Sequence, residues 1–368
     1  MKTLGYGVIG CGNVSDRHLD AVEQGAGMRL AAVVDKQVER AKQMAGKHPS
    51  RPVVYGDVDD LLADDGVEVV VICLPSQLHA QTTVAAANAG KHIYCEKVMA
   101  GSVNEAREMI AVAEENGVKL MIGHNTRYFP AFAQARRLIA AGEIGDIVAV
   151  DGAFPNRASL PDAVRPTFWG IKAGARGHGI VMNFGCHYAD TARYLCGEGF
   201  ARVSAHIGNR YSEGRAPEDQ YVITALTESG IVVTIAHYGL HAQIRSRNTG
   251  FTIYGTHGIL EAFYFPDAVA IRRAGDDSYR DVQPDADLTD EGPWERLHRE
   301  LREAIEEDTE PSVTGDDGLQ NIEWALGAYL SHERRTWIEL PLAEEYWDYC
   351  GPALDESLPL ARDWDVEG

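Results

Sequence analysis

Three short segments of the sequence bring together side chains that can handle a proton or a substrate hydroxyl group. The first is Glu96-Lys97, which follows an apolar run typical of a buried strand. A lysine at the carboxyl end of a parallel strand can donate a hydrogen bond to a hydroxyl group and stabilise a developing alkoxide. An ordinary surface lysine is the alternative, because lysine side chains are mostly exposed.

The second segment, Asn183 to Asp190, predicts a helix that carries a candidate general base. The spacing of Asn183, His187 and Asp190 places them on one helical face. A histidine on that face can take the proton from a hydroxyl group while the attached carbon loses hydride. A hydrogen-bonded core histidine is the alternative interpretation.

The third segment, Asn125-Thr126-Arg127-Tyr128, follows the last strand pattern of the N-terminal part of the chain. We expect it where two domains meet, so Asn125, Arg127 and Tyr128 are candidate substrate contacts in a cleft. Simple packing between domains is the alternative role. Trp169 is a weaker candidate for substrate contact.

The elements that must position these side chains begin with a glycine-rich turn near the N-terminus. An apolar run ends at Gly10-Cys11-Gly12, a helix pattern begins at Asn13, and a second apolar run, Leu30 to Val34, stops on Asp35. This order of strand, glycine turn, helix, strand and acid predicts a dinucleotide-binding site. A G-x-G sequence without that context would indicate only an ordinary turn.

Each position of the turn has a physical reason. Gly10 permits the tight turn, and Gly12 has no side chain to keep a pyrophosphate from the backbone. The first helical residues, Asn13 and Val14, offer unpaired N–H groups and the positive end of the helix dipole to the phosphates. Ser15 replaces the third glycine of the usual pattern with another small residue.

The residues after the second strand bear on which dinucleotide binds. Asp35 can accept hydrogen bonds from the ribose hydroxyls, and its charge would repel a 2′-phosphate, which favours NAD over NADP. Lys36 beside it weakens that preference.

The order of elements predicts the fold class and the domains. Strand and helix patterns alternate through about residue 125, which is typical of a doubly wound parallel sheet of the Rossmann kind. Successive β-like runs between residues 202 and 271 then predict an α+β domain with a mostly antiparallel sheet. We therefore predict an α/β protein with a dinucleotide-binding domain at residues 1–125, a substrate-binding and oligomerisation domain at 126–342, and a C-terminal tail at 343–368.

Bulk properties exclude several classes of partner. The 368 residues carry 55 acidic and 34 basic side chains, for a net charge of −21, which argues against nucleic acid and anionic membranes. The six cysteines form no C-x-x-C pair, so we expect reduced thiols and no metal site. The first strand pattern begins almost at Met1, and no apolar run approaches the roughly 18 residues of a membrane span, so we expect a cytoplasmic protein.

Several motifs in order resemble the Gfo/Idh/MocA oxidoreductase family. They are V-I-G-C-G, C-L-P-S-Q-L-H, A-G-K-H-I-Y-C-E-K, R-Y-F-P with G-E-I-G-D-I, and N-F-G-C-H-Y-A-D, and the resemblance covers about residues 4 to 341. It implies a Rossmann domain followed by an α+β domain whose large open sheet commonly forms a homodimer or homotetramer interface. It also implies sugar, cyclitol or related polyol substrates and a nicotinamide cofactor.

The resemblance assigns roles to particular residues. Lys97 matches the family's catalytic lysine, and His187 matches its catalytic histidine. Two departures stand out: Val98 replaces the proline that usually follows the lysine, which removes an easy route to a cis peptide, and Asn183 replaces an aspartate four residues before the histidine. The expected cofactor-binding residues are Gly10, Gly12, Asn13, Val14, Asp35, Lys36, Pro75, Ser76, His79, Glu96 and Lys97. The expected substrate contacts are Lys97, Asn125, Arg127, Tyr128, Trp169, Asn183 and His187.

Three functional hypotheses follow. The first is an NAD-dependent dehydrogenase that oxidises a sugar or cyclitol hydroxyl, with His187 as general base, Lys97 as alkoxide stabiliser and Asn183 as an orienting hydrogen-bond partner. The second is a redox-neutral enzyme that retains NAD(H), as in oxidoreductive glycoside cleavage or sugar–sugar redox exchange. The third is an inactive nucleotide-binding regulator.

Overall fold

The chain divides into two compact units in the computed structural model. The structure describes residues 3–156, 179–208, 218–239, 249–264 and 267–352. Trp169, a predicted substrate contact, lies outside the described residues. The first unit comprises Met1–Asn125 and Glu291–Leu319, and the second comprises Thr126–Asp290 and Gln320–Gly368.

The first unit is built on a parallel six-stranded sheet with the order β3-β2-β1-β4-β5-β6. This arrangement confirms the predicted doubly wound Rossmann sheet. Its central strands are buried on both faces, which explains their continuous apolar runs. The strands are β1 (Leu4–Ile9), β2 (Met28–Val34), β3 (Val53–Tyr55), β4 (Val69–Ile72), β5 (His92–Cys95) and β6 (Leu120–Ile122).

Helices separate consecutive strands of this sheet. Helix α5 is capped at its N-terminus, since the Ser102 side chain accepts a hydrogen bond from the Glu105 N–H at 3.2 Å. Glu105 in turn accepts from the Gly101 N–H at 2.8 Å. The helices are α1 (Ser15–Gln24), α2 (Val38–Lys47), α3 (Val58–Leu62), α4 (His79–Asn88) and α5 (Val103–Glu115).

The first unit is not one continuous stretch of chain. Helix α8 (Pro293–Glu307) packs on α1, and the Ile122 N–H donates to the Val313 carbonyl at 3.1 Å. The segment Glu291–Leu319 therefore belongs to the parallel-sheet unit. The predicted domain limits place every residue from 126 to 342 in the second domain. They do not include this segment in the first domain.

The second unit is built on a nine-stranded sheet with the order β14-β13-β12-β11-β7-β10-β9-β8-β15. Every neighbouring pair is antiparallel except β7 and β10, which confirms the predicted mostly antiparallel sheet. Its strands are β7 (Ile147–Asn156), β8 (Phe200–Gly208), β9 (Gln220–Thr227), β10 (Val232–Gly239), β11 (Gly250–Gly255), β12 (Gly258–Tyr264), β13 (Asp267–Arg273), β14 (Arg280–Val282) and β15 (Ile338–Glu339).

One face of this sheet is buried under helices. Alternate residues of β10 are buried, among them Val233, Ile235 and His237, and large aromatic side chains such as Phe154 and Trp324 are also fully buried. The helices are α6 (Pro130–Ala140), α7 (Cys186–Cys196) and α9 (Gly315–Arg334), of which α9 is divided between the two units.

Two further properties concern the chain as a whole. The six cysteines all lie within the described ranges, and none of them forms a disulfide bond. Within the described ranges, no helix combines the length and the apolar character needed to cross a bilayer.

Candidate functional site

The glycine turn after β1 has room for a phosphate group against its backbone. Gly10 has φ +94°, and a Cβ added there would lie 2.7 Å from the Cys73 carbonyl oxygen, so the position requires glycine. A Cβ added at Gly12 would meet no atom within 4 Å, so its backbone is open on that side. Helix α1 then begins at Ser15, two residues later than predicted, and Asn13 and Val14 lie in the turn before it.

The Asp35 carboxylate joins the end of β2 to the glycine turn. Its Oδ2 accepts a hydrogen bond from the Cys11 N–H at 2.9 Å, and its Oδ1 accepts from the Gln37 N–H at 2.8 Å. Each oxygen has two lone pairs, so the partly exposed carboxylate can still accept hydrogen bonds from a ribose. Lys36 beside it is exposed.

The loop after β4 carries a buried hydroxyl group without a protein partner. Ser76 is 1% exposed, and its Oγ has no hydrogen-bond partner among the described residues. Because buried polar atoms are normally hydrogen-bonded, this orphan is consistent with a bound ligand. Pro75 precedes it and is half-buried.

His79 ties this loop to the residues after Lys97. Its Nδ1 lies 2.7 Å from the Val98 carbonyl oxygen, and its Nε2 lies 2.8 Å from the Leu74 carbonyl oxygen. Burial lowers the pKa of His79 from its ordinary value, although the two carbonyl groups oppose that effect. We therefore place His79 behind the loop, as a support for it.

Glu96 and Lys97 follow β5 directly. Glu96 is 6% exposed, and its Oε2 accepts a hydrogen bond from the Lys97 N–H at 3.1 Å. Burial alone would raise the pKa of the Glu96 carboxyl group, but a hydrogen bond from His18 and the nearby Lys97 charge lower it below its ordinary value. The carboxylate thus faces protein donors, while the Lys97 side chain is partly exposed.

The peptide bond between Lys97 and Val98 is cis. Valine in place of proline predicts the loss of an easy route to this geometry, yet the bond is cis. Val98 itself is buried, at 3% exposure.

The turn, the loop and the lysine lie at one edge of one sheet. Strands β1, β4 and β5 are parallel neighbours, with Ile9 paired with Ile72, and Ile72 paired with Cys95. The residues that follow the three strands therefore emerge together at their carboxyl ends, where open α/β sheets bind ligands.

In the second unit, the predicted helix from Asn183 begins as a π-helical turn. Val181–Gly185 is π-helical, and regular α-helix begins only at Cys186. The predicted helical segment therefore has regular α-helical geometry only from Cys186 onward. Asn183 is 7% exposed, and π-helical turns occur frequently at functional sites.

His187 lies on α7 and is held from one side. Its Nδ1 is 2.9 Å from the Thr126 hydroxyl oxygen, and its side chain is half-buried. If the Thr126 hydroxyl accepts an Nδ1–H, the other ring nitrogen carries the lone pair that a general base needs.

Arg127 forms a buried ion pair with Asp190, which lies on α7. It is 5% exposed, its Nε donates to Asp190 Oδ2 at 2.8 Å, and a second guanidinium nitrogen donates to Oδ1. Asn321 donates to the same carboxylate at 3.2 Å. Much of the guanidinium is thus engaged with α7, and the neighbouring Asn125 and Tyr128 are also largely buried.

Sequence reasoning missed three residues that hold these elements. Thr126 and Asp190 lie within motifs quoted above, but their spacing in the sequence does not indicate their hydrogen-bond partners, His187 and Arg127. Glu218 accepts hydrogen bonds from the Val181 N–H at 3.0 Å and the Tyr329 hydroxyl at 2.6 Å, and so fixes the start of the π-helical turn. Burial raises the pKa of Glu218. No group of three or more His, Cys, Asp or Glu side chains in the described part of the chain could hold a metal ion.

Two models of one protein family match the chain. Residues 4–124 match the model described as an oxidoreductase family with an NAD-binding Rossmann fold. Residues 132–261 match the GFO/IDH/MocA C-terminal domain.

Individual proteins are similar over nearly the full length. The 1,5-anhydro-D-fructose reductase of Ensifer adhaerens is 28% identical over 89% of this chain and 94% of its own length. The inositol 2-dehydrogenase of Rhizobium meliloti is 28% identical over 92% of this chain and 99% of its own length. A crystal structure of aldose-aldose oxidoreductase from Caulobacter crescentus, complexed with glycerol, aligns with a TM-score of 0.80 at 26% identity, covering 92% of this chain and 100% of that one.

Proposed function

The chain belongs to the Gfo/Idh/MocA family of NAD(P)-dependent oxidoreductases, and on that premise we propose that it oxidises a hydroxyl group of a sugar, cyclitol or related polyol. The observation that carries this proposal is the shared edge of the parallel sheet. The open glycine turn and Lys97 both emerge at the carboxyl ends of neighbouring strands. Relatives named as an inositol dehydrogenase and an anhydrofructose reductase support the substrate class.

The residues of the first unit fit a nicotinamide dinucleotide. Gly10, Gly12 and the N-terminus of α1 would hold the pyrophosphate, Asp35 would accept the ribose hydroxyls, and the buried Ser76 hydroxyl offers a further donor. When bound, the nicotinamide supplies the hydride acceptor. The negative charge of Asp35 supports NAD over NADP, with the exposed Lys36 as the opposing charge.

Proton transfer in this proposal belongs to two side chains. The partly exposed Lys97 donates a hydrogen bond to the substrate oxygen and stabilises its negative charge as the proton leaves. His187 takes that proton, with the Thr126 hydroxyl fixing the tautomer of its ring. Asn183, buried in the π-helical turn, orients substrate without adding charge.

The test is NADH formation, measured by absorbance, across aldoses, inositols and glycosides, with NAD and NADP in parallel. We expect turnover with one substrate class. Lys97→Met and His187→Gln should each lower kcat by roughly 10²- to 10⁴-fold, the usual range for acid–base groups, while the Kd for NAD of His187→Gln stays within about threefold. Absence of turnover by the wild type, with NAD bound, would reject a dehydrogenase with freely exchanging cofactor.

A redox-neutral reaction is the second candidate, because a structural neighbour is an aldose-aldose oxidoreductase. In that case NAD(H) stays bound and is reduced and reoxidised within one turnover. Nicotinamide that co-purifies through gel filtration, together with polyol conversion without net NADH, would favour it. NAD binding with no conversion of any polyol would instead favour an inactive regulator.

A further inference from the structure

A buried cluster of ionisable side chains lies behind Lys97 in the first unit. His18 on α1 and His298 on α8 are both fully buried, and Glu96 is 6% exposed. The ring of Tyr94 stacks on His298 with centroids 4.8 Å apart, and Tyr6 packs edge-on against it at 5.7 Å. Two histidines beside a carboxylate in such an apolar cage need a specific hydrogen-bond arrangement.

The three side chains form a continuous row of hydrogen bonds. His298 Nε2 lies 2.9 Å from His18 Nδ1, and His18 Nε2 lies 3.0 Å from Glu96 Oε1. The other carboxylate oxygen of Glu96 accepts the Lys97 N–H at 3.1 Å. The row therefore runs from a helix of the returning segment, Glu291–Leu319, to the backbone of Lys97.

The available donors and acceptors decide the direction of the hydrogen bonds in the row. An ionised Glu96 only accepts hydrogen bonds, so the proton of the first contact lies on His18 Nε2. If His18 also donated from Nδ1, His298 would keep its own proton on Nδ1, which is buried and has no hydrogen-bond partner among the residues that the structure describes. An orphaned buried N–H is rarer than an orphaned acceptor. Burial also holds the pKa of His298 well below its ordinary value.

We propose that His18 and His298 are positioning residues for Lys97, acting through Glu96. His298 donates from Nε2 to His18 Nδ1, His18 donates from Nε2 to Glu96, and Glu96 holds the Lys97 N–H. Both imidazoles are neutral in this arrangement, so the cluster carries one negative charge beside the lysine. The inference deepens the proposed function, on which its catalytic consequence rests.

The direction of the row can be measured without any substrate. In protein labelled with ¹⁵N-histidine, we expect both rings as Nε2–H tautomers at pH 7. Signals are assigned with His18→Gln and His298→Gln. An Nδ1–H tautomer of His298, or a doubly protonated His18, would overturn the assigned direction.

Positioning is tested with paired substitutions. Glutamine places an amide N–H near the position of Nε2, whereas leucine fills the volume without a donor. We expect His18→Leu to raise the exchange rate of the Lys97 N–H at least tenfold and His18→Gln to leave it within about threefold. The Ile93 N–H, bonded to the Lys119 carbonyl in the same strand region, reports any general opening of the sheet.

Activity supplies the second readout. A misplaced catalytic group costs up to about 10²-fold in rate, so we expect His18→Leu and His298→Leu to lower kcat by roughly 10- to 100-fold, with recovery in the glutamine variants. The Kd for NAD should stay within about threefold. His48→Leu is the matched control, because His48 is a buried histidine of the same unit outside the row.

The outcomes separate this inference from the proposed function. If the wild-type protein shows no turnover, the proposed function is contradicted. The histidine tautomers and the exchange rate of the Lys97 N–H still test the hydrogen-bonded row in that case. Equal Lys97 exchange rates in wild type and His18→Leu, or equal kcat losses in the leucine and glutamine variants, would overturn the positioning role.

Discussion

Asp35 is the single residue on which the proposed choice of dinucleotide depends most. Its carboxylate is held by the Cys11 and Gln37 N–H groups, so its charge has a fixed place at the end of β2. A fixed negative charge there favours two ribose hydroxyls over a phosphate.

Asp35→Asn should therefore weaken the discrimination between the two dinucleotides. We expect the ratio of Kd for NADP to Kd for NAD, measured by calorimetry, to fall about tenfold, which corresponds to about 1.4 kcal/mol. Glu39→Gln is the control, since Glu39 is exposed and forms an exposed ion pair with Lys42. An unchanged ratio in Asp35→Asn would remove Asp35 from the proposed specificity.

His237 is a buried histidine that the proposed chemistry does not use. Neither ring nitrogen has a hydrogen-bond partner within the described part of the chain, and burial lowers the pKa of His237 from 6.5 to about 4. The folded protein therefore keeps it neutral at pH values where the unfolded chain is already protonated. The neutral His237 ring therefore contributes to the free energy of unfolding above pH 6.5, and this contribution is lost as the pH falls toward 4.

We expect the free energy of unfolding of the wild type to fall, relative to His237→Phe, by up to about 3 kcal/mol between pH 7 and pH 4. Phenylalanine suits the aromatic site beside Tyr221, whose ring centroid is 5.4 Å from that of His237. Urea unfolding at several pH values measures the difference. Parallel pH curves for the two proteins would contradict the assignment.

At the scale of elements, helix α7 depends on one buried ion pair. Arg127 and Asp190 are both almost fully buried, and Asn321 adds a third hydrogen bond to the carboxylate. Removing one partner of such a pair leaves an uncompensated charge, whereas an exposed ion pair contributes little.

Asp190→Asn should accordingly cost about 3–5 kcal/mol in the free energy of unfolding. Arg137→Gln, which removes an exposed arginine paired with Asp285 and Asp287, should cost at most about 1 kcal/mol. Urea unfolding followed by tryptophan fluorescence compares the two. Equal costs would show that α7 is held by its other contacts.

At the scale of the whole molecule, the nine-stranded sheet of the second unit has one face that carries exposed apolar side chains. On β9 and β10, Val222, Val232 and Tyr238 point to that face and are 38%, 41% and 43% exposed. Exposed apolar side chains on one face of a sheet can mark an interaction surface. A second copy of the chain is the occupant that we propose, in keeping with the expected homodimer or homotetramer.

Light scattering after gel filtration should give two or four times the mass of one chain. The double change Val222→Lys and Val232→Lys should yield single chains, because it places charges on neighbouring strands of the proposed interface. Val53→Lys is the control, since Val53 is 50% exposed in the other unit. A wild type of single-chain mass, or a double variant that keeps the wild-type mass, would rule out this interface.

Local patterns were sufficient for the fold and for part of the site. The glycine turn, the strand ending at Asp35, the capped helix α5 and the alternation of buried residues depend on neighbours within a few positions, so their residues can be recognised in order along the chain. Lys97 and His187 are predicted as site residues in the same way, through short motifs that resemble one family.

Only the tertiary structure decided which distant residues share hydrogen bonds. His18 and His298 are separated by 280 positions, and Arg127 and Asp190 by 63, yet each pair is in direct contact. The return of Glu291–Leu319 to the first unit and the π-helical turn at Asn183 have no local pattern either. Such contacts depend on how packed elements satisfy buried polar groups, which is a property of the folded core and not of sequence spacing.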